Sequence, residues 1–314
     1  MGEFDLIARH FSVLAQPQAG VALGIGDDAA LLSAPAAGEQ WALSTDTLVE
    51  GVHFAAGTAA EDLGHKALAV NLSDLAAMGA RPFAALLALT LPTADDPWLR
   101  GFSRGFGGLL RQYGLSLVGG DTTRGPLSLT VTVIGRVPAG FALRRAGADV
   151  GDIVAVTGTL GDAALALRLG TAAPAELLRR LHRPEPRIAA GLALRALAHA
   201  AIDLSDGLLA DLGHVCEASG VGASIRADLI PASPAFLAAA PDDALALQAA
   251  GGDDYELCVC LPPEKVSEAV AVLAECGLTL TVVGRCTREP GVRLLDAAGS
   301  PVSLPPSSGY RHFA

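Results

Sequence analysis

Six short segments of this 314-residue chain set aspartate beside glycine, serine or threonine: GIGDD at 24–28, STDT at 44–47, NLSD at 71–74, GGDTT at 119–123, DLSDG at 203–207 and GGDD at 251–254. Taken singly, an aspartate in such a setting ordinarily caps a helix or closes an Asx turn. In combination they carry a second meaning. Glycine lets backbone N–H groups turn toward an oxyanion, while the neighbouring carboxylate holds a hard cation. Two carboxylates ~5 Å apart repel by about 3 kcal/mol at an effective dielectric of ~20, so a convergent group needs divalent cations to stay ionised. Oxygen ligands favour Mg²⁺ or Mn²⁺ over zinc, and a magnesium nucleotide is the expected occupant.

Other nucleotide machinery is missing from the sequence. The two lysines, Lys66 and Lys265, lie in no G-x-x-x-x-G-K-[ST] loop, no G-x-G-x-x-G opens a kinase pattern, and G-x-S-x-G does not occur. Cationic help with phosphates therefore falls to arginine, and Arg144 and Arg145 stand where the composition changes. Acids exceed Lys plus Arg by 33 to 22, a net charge of -11 that disfavours a nucleic-acid partner. Hydrophobic residues make up 51%, yet no apolar run reaches the ~18 residues of a membrane span. The N-terminal MGEFDLIARHF lacks the features of a signal peptide. Five cysteines (216, 258, 260, 276 and 286) follow no CxxC spacing and read as small buried hydrophobes of a reducing, cytoplasmic protein.

The elements that must position these residues alternate along the chain. Helical spacing marks 3–15, 59–79, 161–170, 186–200, 208–219 and 263–276; extended patterns mark 82–91, 127–137, 152–157, 254–261 and 279–285. Pro138, Gly140 and Gly147 interrupt the pattern, which predicts a junction near 140 between two domains, 1–140 and 141–314, of mixed α/β (α+β) class. NLSD and the following GGD recur 132 residues later as DLSD and GGD, a hint of internal duplication.

The blocks GEFDLIARHF, GIGDDAALL, STDTLVEGVHF, KALAVNLSDLAAMGARP, GGDTTRGPLSLTVTVIG, AIDLSDGLLADLGH and GGDDYELCV resemble the bacterial thiamine-monophosphate kinase family, and the resemblance runs from residue 2 to Phe313. It implies two mixed-sheet domains of the aminoimidazole ribonucleotide synthetase-like ATP-binding type, with the N-terminal sheet pairing across a homodimer. The activity it implies is transfer of the ATP γ-phosphoryl group to thiamine monophosphate. By motif position, Asp28, Ser44, Thr45, Asp46, Asp74, Asp121, Asp203 and Asp206 resemble the family's magnesium ligands, with Asp27 beside them. Gly120, Asp121, Arg145 and Ser205 resemble its ATP contacts, Arg144 being the less fitted of the arginine pair. His53, Asp253 and Tyr310 resemble the positions that hold thiamine monophosphate. The chain departs from the family's GGEDYEL in having Asp253 at the third position, one methylene shorter, with Asp254 and Glu256 as the acids that could compensate.

Overall fold

The alternation Leu129, Val131, Val133 buries one side of a strand, and that strand lies inside a sheet. The computed structural model describes residues 3–304. The chain falls into two compact units: Met1–Leu75 with Ala80–Gly140, and Ala76–Gly79 with Phe141–Ala314.

The first unit contains strands β1 (Val21–Leu23), β2 (Leu31–Leu32), β3 (Glu39–Val49), β4 (Arg81–Leu91), β5 (Ser116–Arg124) and β6 (Ser128–Pro138). Four of them form a sheet in the order β3-β6-β4-β5, so β3 and β5 are its two edges. β6 pairs antiparallel with both β3 and β4, whereas β5 runs parallel to β4. Residues directly opposite one another share a face, so Ser44, Asp46 and Leu48 stand on the same face as the buried Val133, Val131 and Leu129, with Asp46 itself exposed. The helix Ala60–Ala77 supplies Leu68, Leu72 and Leu75 to the core, and Asp96–Tyr113 supplies Leu99, Phe102 and Phe106 at helical spacing. The other face of the sheet carries Thr45, Thr47, Thr130 and Thr132, paired through their hydroxyls.

The second unit contains β7 (Ile153–Thr157), β8 (Ala200–Asp203), β9 (Gly222–Arg226), β10 (Leu257–Leu261), β11 (Leu280–Thr287) and β12 (Gly291–Leu295), in the order β12-β9-β11-β7-β10-β8. Every pair is antiparallel except β12 with β9. The central strands β7 (IVAVT) and β10 (LCVCL) are almost wholly apolar and buried, as befits strands covered on both faces. Helix Leu208–Ser219 follows β8 and buries Leu208, Leu212 and Val215 against the core.

The structure corrects several expectations. STDT lies in β3 and GGDTT in β5, neither of which the extended patterns had marked, while NLSD lies inside the helix Ala60–Ala77, within the helical spacing read over 59–79. The threonines explain the strands, since β-branched side chains suit a pleated surface, and NLSD falls within an unbroken helical phase of leucines. The repeated tetrapeptide is therefore no repeat of local structure: one copy is mid-helix, and the other closes β8 and enters a loop. The helix expected over 186–200 spans only Ile188–Leu194, and 254–256 lie outside the strand that begins at Leu257. Asp253 and Tyr255 hold positive φ there, which no strand tolerates.

Candidate active site

In the first unit, the edge strand and the helix over it bring acids together. The backbone N–H of Asp46 donates to Asn71 Oδ1 at 3.0 Å, and Asn71 Nδ2 in turn donates to the Ala67 carbonyl, which ties β3 to the helix. Ser44 Oγ donates to Asp74 Oδ2 at 2.5 Å, and the Asp46 carboxyl is hydrogen-bonded to that of Asp74. Desolvation on the side facing Asp74 raises the Asp46 pKa above the ordinary carboxylate value; the charge of His53 and the bond to Asp74 partly offset it. His53 Nδ1 accepts from the Val49 N–H at 3.0 Å, which leaves Nε2 as the ring's other site. Ser44, Asp46, Asp74 and His53 are thus neighbours.

The remaining expected residues of this unit lie elsewhere. Thr45 faces away from Ser44 and Asp46, with its hydroxyl 2.7 Å from that of Thr132. Asp121 sits on the opposite edge of the sheet, opposite Ala88 on β4 and in the transverse row of Thr130 and Thr47. Three strand spacings separate it from β3, about 14 Å. Its Oδ1 accepts from the Thr122 N–H at 2.9 Å. Gly120 beside it has φ of +148°, and a Cβ there would lie 1.8 Å from the Leu87 carbonyl oxygen. Only glycine lets β5 approach β4 so closely. In the first loop, Asp27 Oδ1 accepts from the Asp28 N–H at 2.8 Å, an Asx arrangement that leaves Asp28 exposed.

In the second unit the DLSDG and GGDD loops lock together. The N–H of Asp253 donates to the Ser205 carbonyl at 2.9 Å, and that of Tyr255 to the Leu204 carbonyl at 2.8 Å. A Cβ on Gly252 would lie 2.4 Å from the Ser205 oxygen, so this glycine serves contact between the loops. Asp211, on the first turn of the helix after DLSDG, accepts the N–H groups of Asp206 and Gly207 at 3.0 Å each through Oδ2. Burial pushes its pKa up to about 7; those two bonds and the nearby charge of Arg145 pull the other way, and the charge of Asp206 adds to the rise. Arg145 is positioned from behind: its carbonyl accepts from Ser219 Oγ at 3.1 Å, and the Arg144 carbonyl accepts from the Ala201 N–H. Asp203, Ser205, Asp206, Arg145 and Asp253 therefore belong to one set of interlocked segments. Tyr310 lies outside the described residues.

Neither acid beside Asp253 compensates for its missing methylene. Asp254 spends both carboxylate oxygens on the Gly161 N–H, at 2.9 and 3.1 Å, and burial drives its pKa well up. Glu256 is fully buried and accepts from Arg187 Nε and Nη2, Arg180 Nη2 and Thr157 Oγ1 at 2.6–2.7 Å.

Among the described residues no three of His, Cys, Asp or Glu converge at metal-ligand spacing. The donors that do meet at Asp46 and Asp74 are hydroxyl and carboxylate oxygens with no thiolate. Two carboxyls held in hydrogen-bond contact form a site that a hard dication would neutralise, so these residues fit magnesium.

The comparisons with known proteins agree with this frame. The model of the AIR synthase related protein N-terminal domain matches residues 26–137, and that of the C-terminal domain residues 149–297. Thiamine-monophosphate kinase of Escherichia coli K12 is 48% identical over 322 residues, covering 100% of this chain and 98% of the relative. The chain belongs to the thiamine-monophosphate kinase family, within the AIR synthase related proteins. The crystal structure of the Stenotrophomonas maltophilia thiamine-monophosphate kinase superposes with a TM-score of 0.88 at 47% identity, covering 96% of this chain and 98% of that one. AaThiL complexed with AMPPCP and TMP gives 0.79 at 29% identity, covering 99% and 97%. For a thiamine-monophosphate kinase of this fold, three features escaped the sequence reading: Asp211, the Asp254 anchor and the Glu256 clamp. Asp211 was within reach, because it falls in phase with Leu208, Leu212 and Val215 on the apolar side of its helix. Nothing in GGDDYEL marks which of its acids points inward.

Proposed function

We propose that this protein transfers the γ-phosphoryl group of ATP directly to the phosphate of thiamine monophosphate, giving thiamine diphosphate and ADP. Full-length identity of 48% to a thiamine-monophosphate kinase carries this reading, and the relative solved with an ATP analogue and TMP supports it. An acceptor phosphate oxygen forms a bond to the γ-phosphorus as the bond to the β-γ bridging oxygen breaks, and the electron pair leaves with ADP. The acceptor's second pKa of about 6 leaves it largely dianionic at pH 7, so no general base is required. What remains is to bring two anions together.

Magnesium, when bound, would supply the charge neutralisation that this approach needs. Ser44, Asp46 and Asp74 would hold one ion, and Asp203 and Asp206 would serve in the second unit. Asp121, about 14 Å from Asp46 by strand count, cannot share that first ion; with Asp28 and Thr45 it implies further ions. Arg145, held by Ser219, would bind phosphate oxygens, and Gly120 and Ser205 are assigned to the nucleotide with it. His53, Asp253 and Tyr310 are assigned to thiamine monophosphate. We also infer a cytoplasmic homodimer. The outer edge of β3, eleven residues long, pairs with no strand among the described residues and is suited to pairing with a second copy. All five cysteines are free, as in a reducing compartment. Among the described residues no helix is long and apolar enough to cross a membrane.

Incubation with Mg-ATP and either thiamine monophosphate or thiamine, with products identified by mass spectrometry, tests the assignment. Thiamine diphosphate from the monophosphate alone is expected; a phosphorylated product from thiamine, or none from either, would overturn it.

A further inference from the structure

The turn at 253–256 is built with more force than a surface loop needs. Asp253 and Tyr255 sit at φ of +68° and +50°, and among the described residues they are the non-glycine residues with positive φ. Aspartate tolerates that region, but for a ring as bulky as tyrosine it is a true outlier, costing about 1–2 kcal/mol. Such strain survives where the surroundings over-determine the backbone. Here they do. Asp254 is fastened to the Gly161 N–H at the start of helix Asp162–Leu169. Glu256 is gripped by Arg187 through two nitrogens and by Arg180 through a third. The carbonyl oxygens of Ser205 and Leu204 hold the N–H groups of the two strained residues.

The strained backbone has one geometric product. It swings the Tyr255 side chain back onto the residue two before it, so that Tyr255 Oη donates to Asp253 Oδ1 at 3.0 Å. Tyr255 is 8% exposed and the bond to Asp253 is partly buried. The phenol thereby fixes one carboxylate oxygen of an aspartate that is shorter than the family's usual glutamate.

We propose that Tyr255 is a positioning residue for the acceptor substrate: its hydroxyl orients the Asp253 carboxylate, and the Glu256–Arg187–Arg180 clamp keeps the turn in the left-handed backbone that permits this. The proposal rests on the assignment of Asp253 to thiamine monophosphate. It predicts a defect confined to the acceptor, because the bond from Tyr255 reaches Asp253, the residue assigned to that substrate.

The test is a double-mutant cycle with Tyr255→Phe, Asp253→Ala and the pair, reading KM for thiamine monophosphate, KM for ATP, kcat and melting temperature. Tyr255→Phe keeps the ring and removes only the hydroxyl. It is expected to raise the acceptor KM about tenfold, the scale of one hydrogen bond to a charged group. The KM for ATP, kcat and the melting temperature should stay within experimental error. In the Asp253→Ala background the same change should have no further effect on the acceptor KM. Equal increases in both Michaelis constants, or an unchanged acceptor KM, would overturn the proposal, as would full additivity of the two substitutions. A wild-type protein that turns over thiamine monophosphate while Asp253→Ala leaves its KM unchanged would remove the assignment of Asp253 and the proposal with it. A wild type inactive on that substrate would instead refute the function.

Discussion

Replacing Glu256 by glutamine should destabilise the second unit far more than the loss of any exposed ion pair. The wild-type carboxylate is fully buried and accepts four hydrogen bonds at 2.6–2.7 Å, three of them from the guanidinium groups of Arg180 and Arg187. Those two arginines are themselves 12% and 8% exposed. The amide would keep the shape and one acceptor oxygen, but it would aim an N–H₂ group at a donor and leave the cations undercompensated. Removing one partner of a buried pair costs about 3–5 kcal/mol. For a unit of this size each kcal/mol moves the melting temperature by roughly 2–4 °C, so the drop should be roughly 6–20 °C. The control is Asp243→Asn, which breaks the Arg168–Asp243 pair at 42% and 51% exposure. Exposed pairs contribute about 0–1 kcal/mol, and that variant should melt within a few degrees of wild type. Calorimetry of the two variants decides the matter. Equal small shifts would show that the clamp carries no special energy and that the turn it anchors is held by its backbone bonds alone.

Further expectations follow from the same geometry. Asp74→Asn should abolish turnover yet keep or raise the melting temperature in metal-free buffer, since Asp74 shares a hydrogen bond with the carboxyl of Asp46; near wild-type kcat would refute its assignment as a ligand. Gly120→Ala must place a methyl 1.8 Å from the Leu87 oxygen at φ of +148°, so β5 should separate from β4 with a loss of several kcal/mol, read by urea unfolding, and weaker ATP binding by calorimetry. Asp211 titrates near 7 in the fold against 3.8 when exposed, so its protonation stabilises the fold fully below pH ~4 and that contribution is lost as pH rises through 7. In metal-free urea titrations, Asp211→Asn should therefore gain on wild type between pH 5 and 8, by at most about 3 kcal/mol; a pH-independent difference would contradict the burial argument.

The strands and helices with clean periodicity were legible in the sequence, and the reason is physical. Leu129, Val131 and Val133 alternate because one face of β6 is buried, and Leu208, Leu212 and Val215 recur because one side of their helix is. β3 escaped because the face it shares with Val131 and Val133 carries Ser44 and Asp46 in place of apolar residues, which breaks the alternation from which a strand would be read. The site was legible as a set of acids but not as an arrangement. Spacing cannot tell that Thr45 turns away while Ser44 and Asp46 turn in, a matter of strand alternation once the strand is known. Nor can it tell that Asp254 and Glu256 are consumed by Gly161 and Arg187, contacts made across about 70 to 90 residues of chain.

The central claim is direct transfer between two phosphates, and isotope tracing tests it most directly. With ATP labelled at the γ-phosphorus and unlabelled thiamine monophosphate, the label should appear in the terminal phosphate of thiamine diphosphate, in equal amount to the ADP formed and with none retained on the protein. Label recovered as inorganic phosphate, or on a side chain before it reaches the acceptor, would contradict the account.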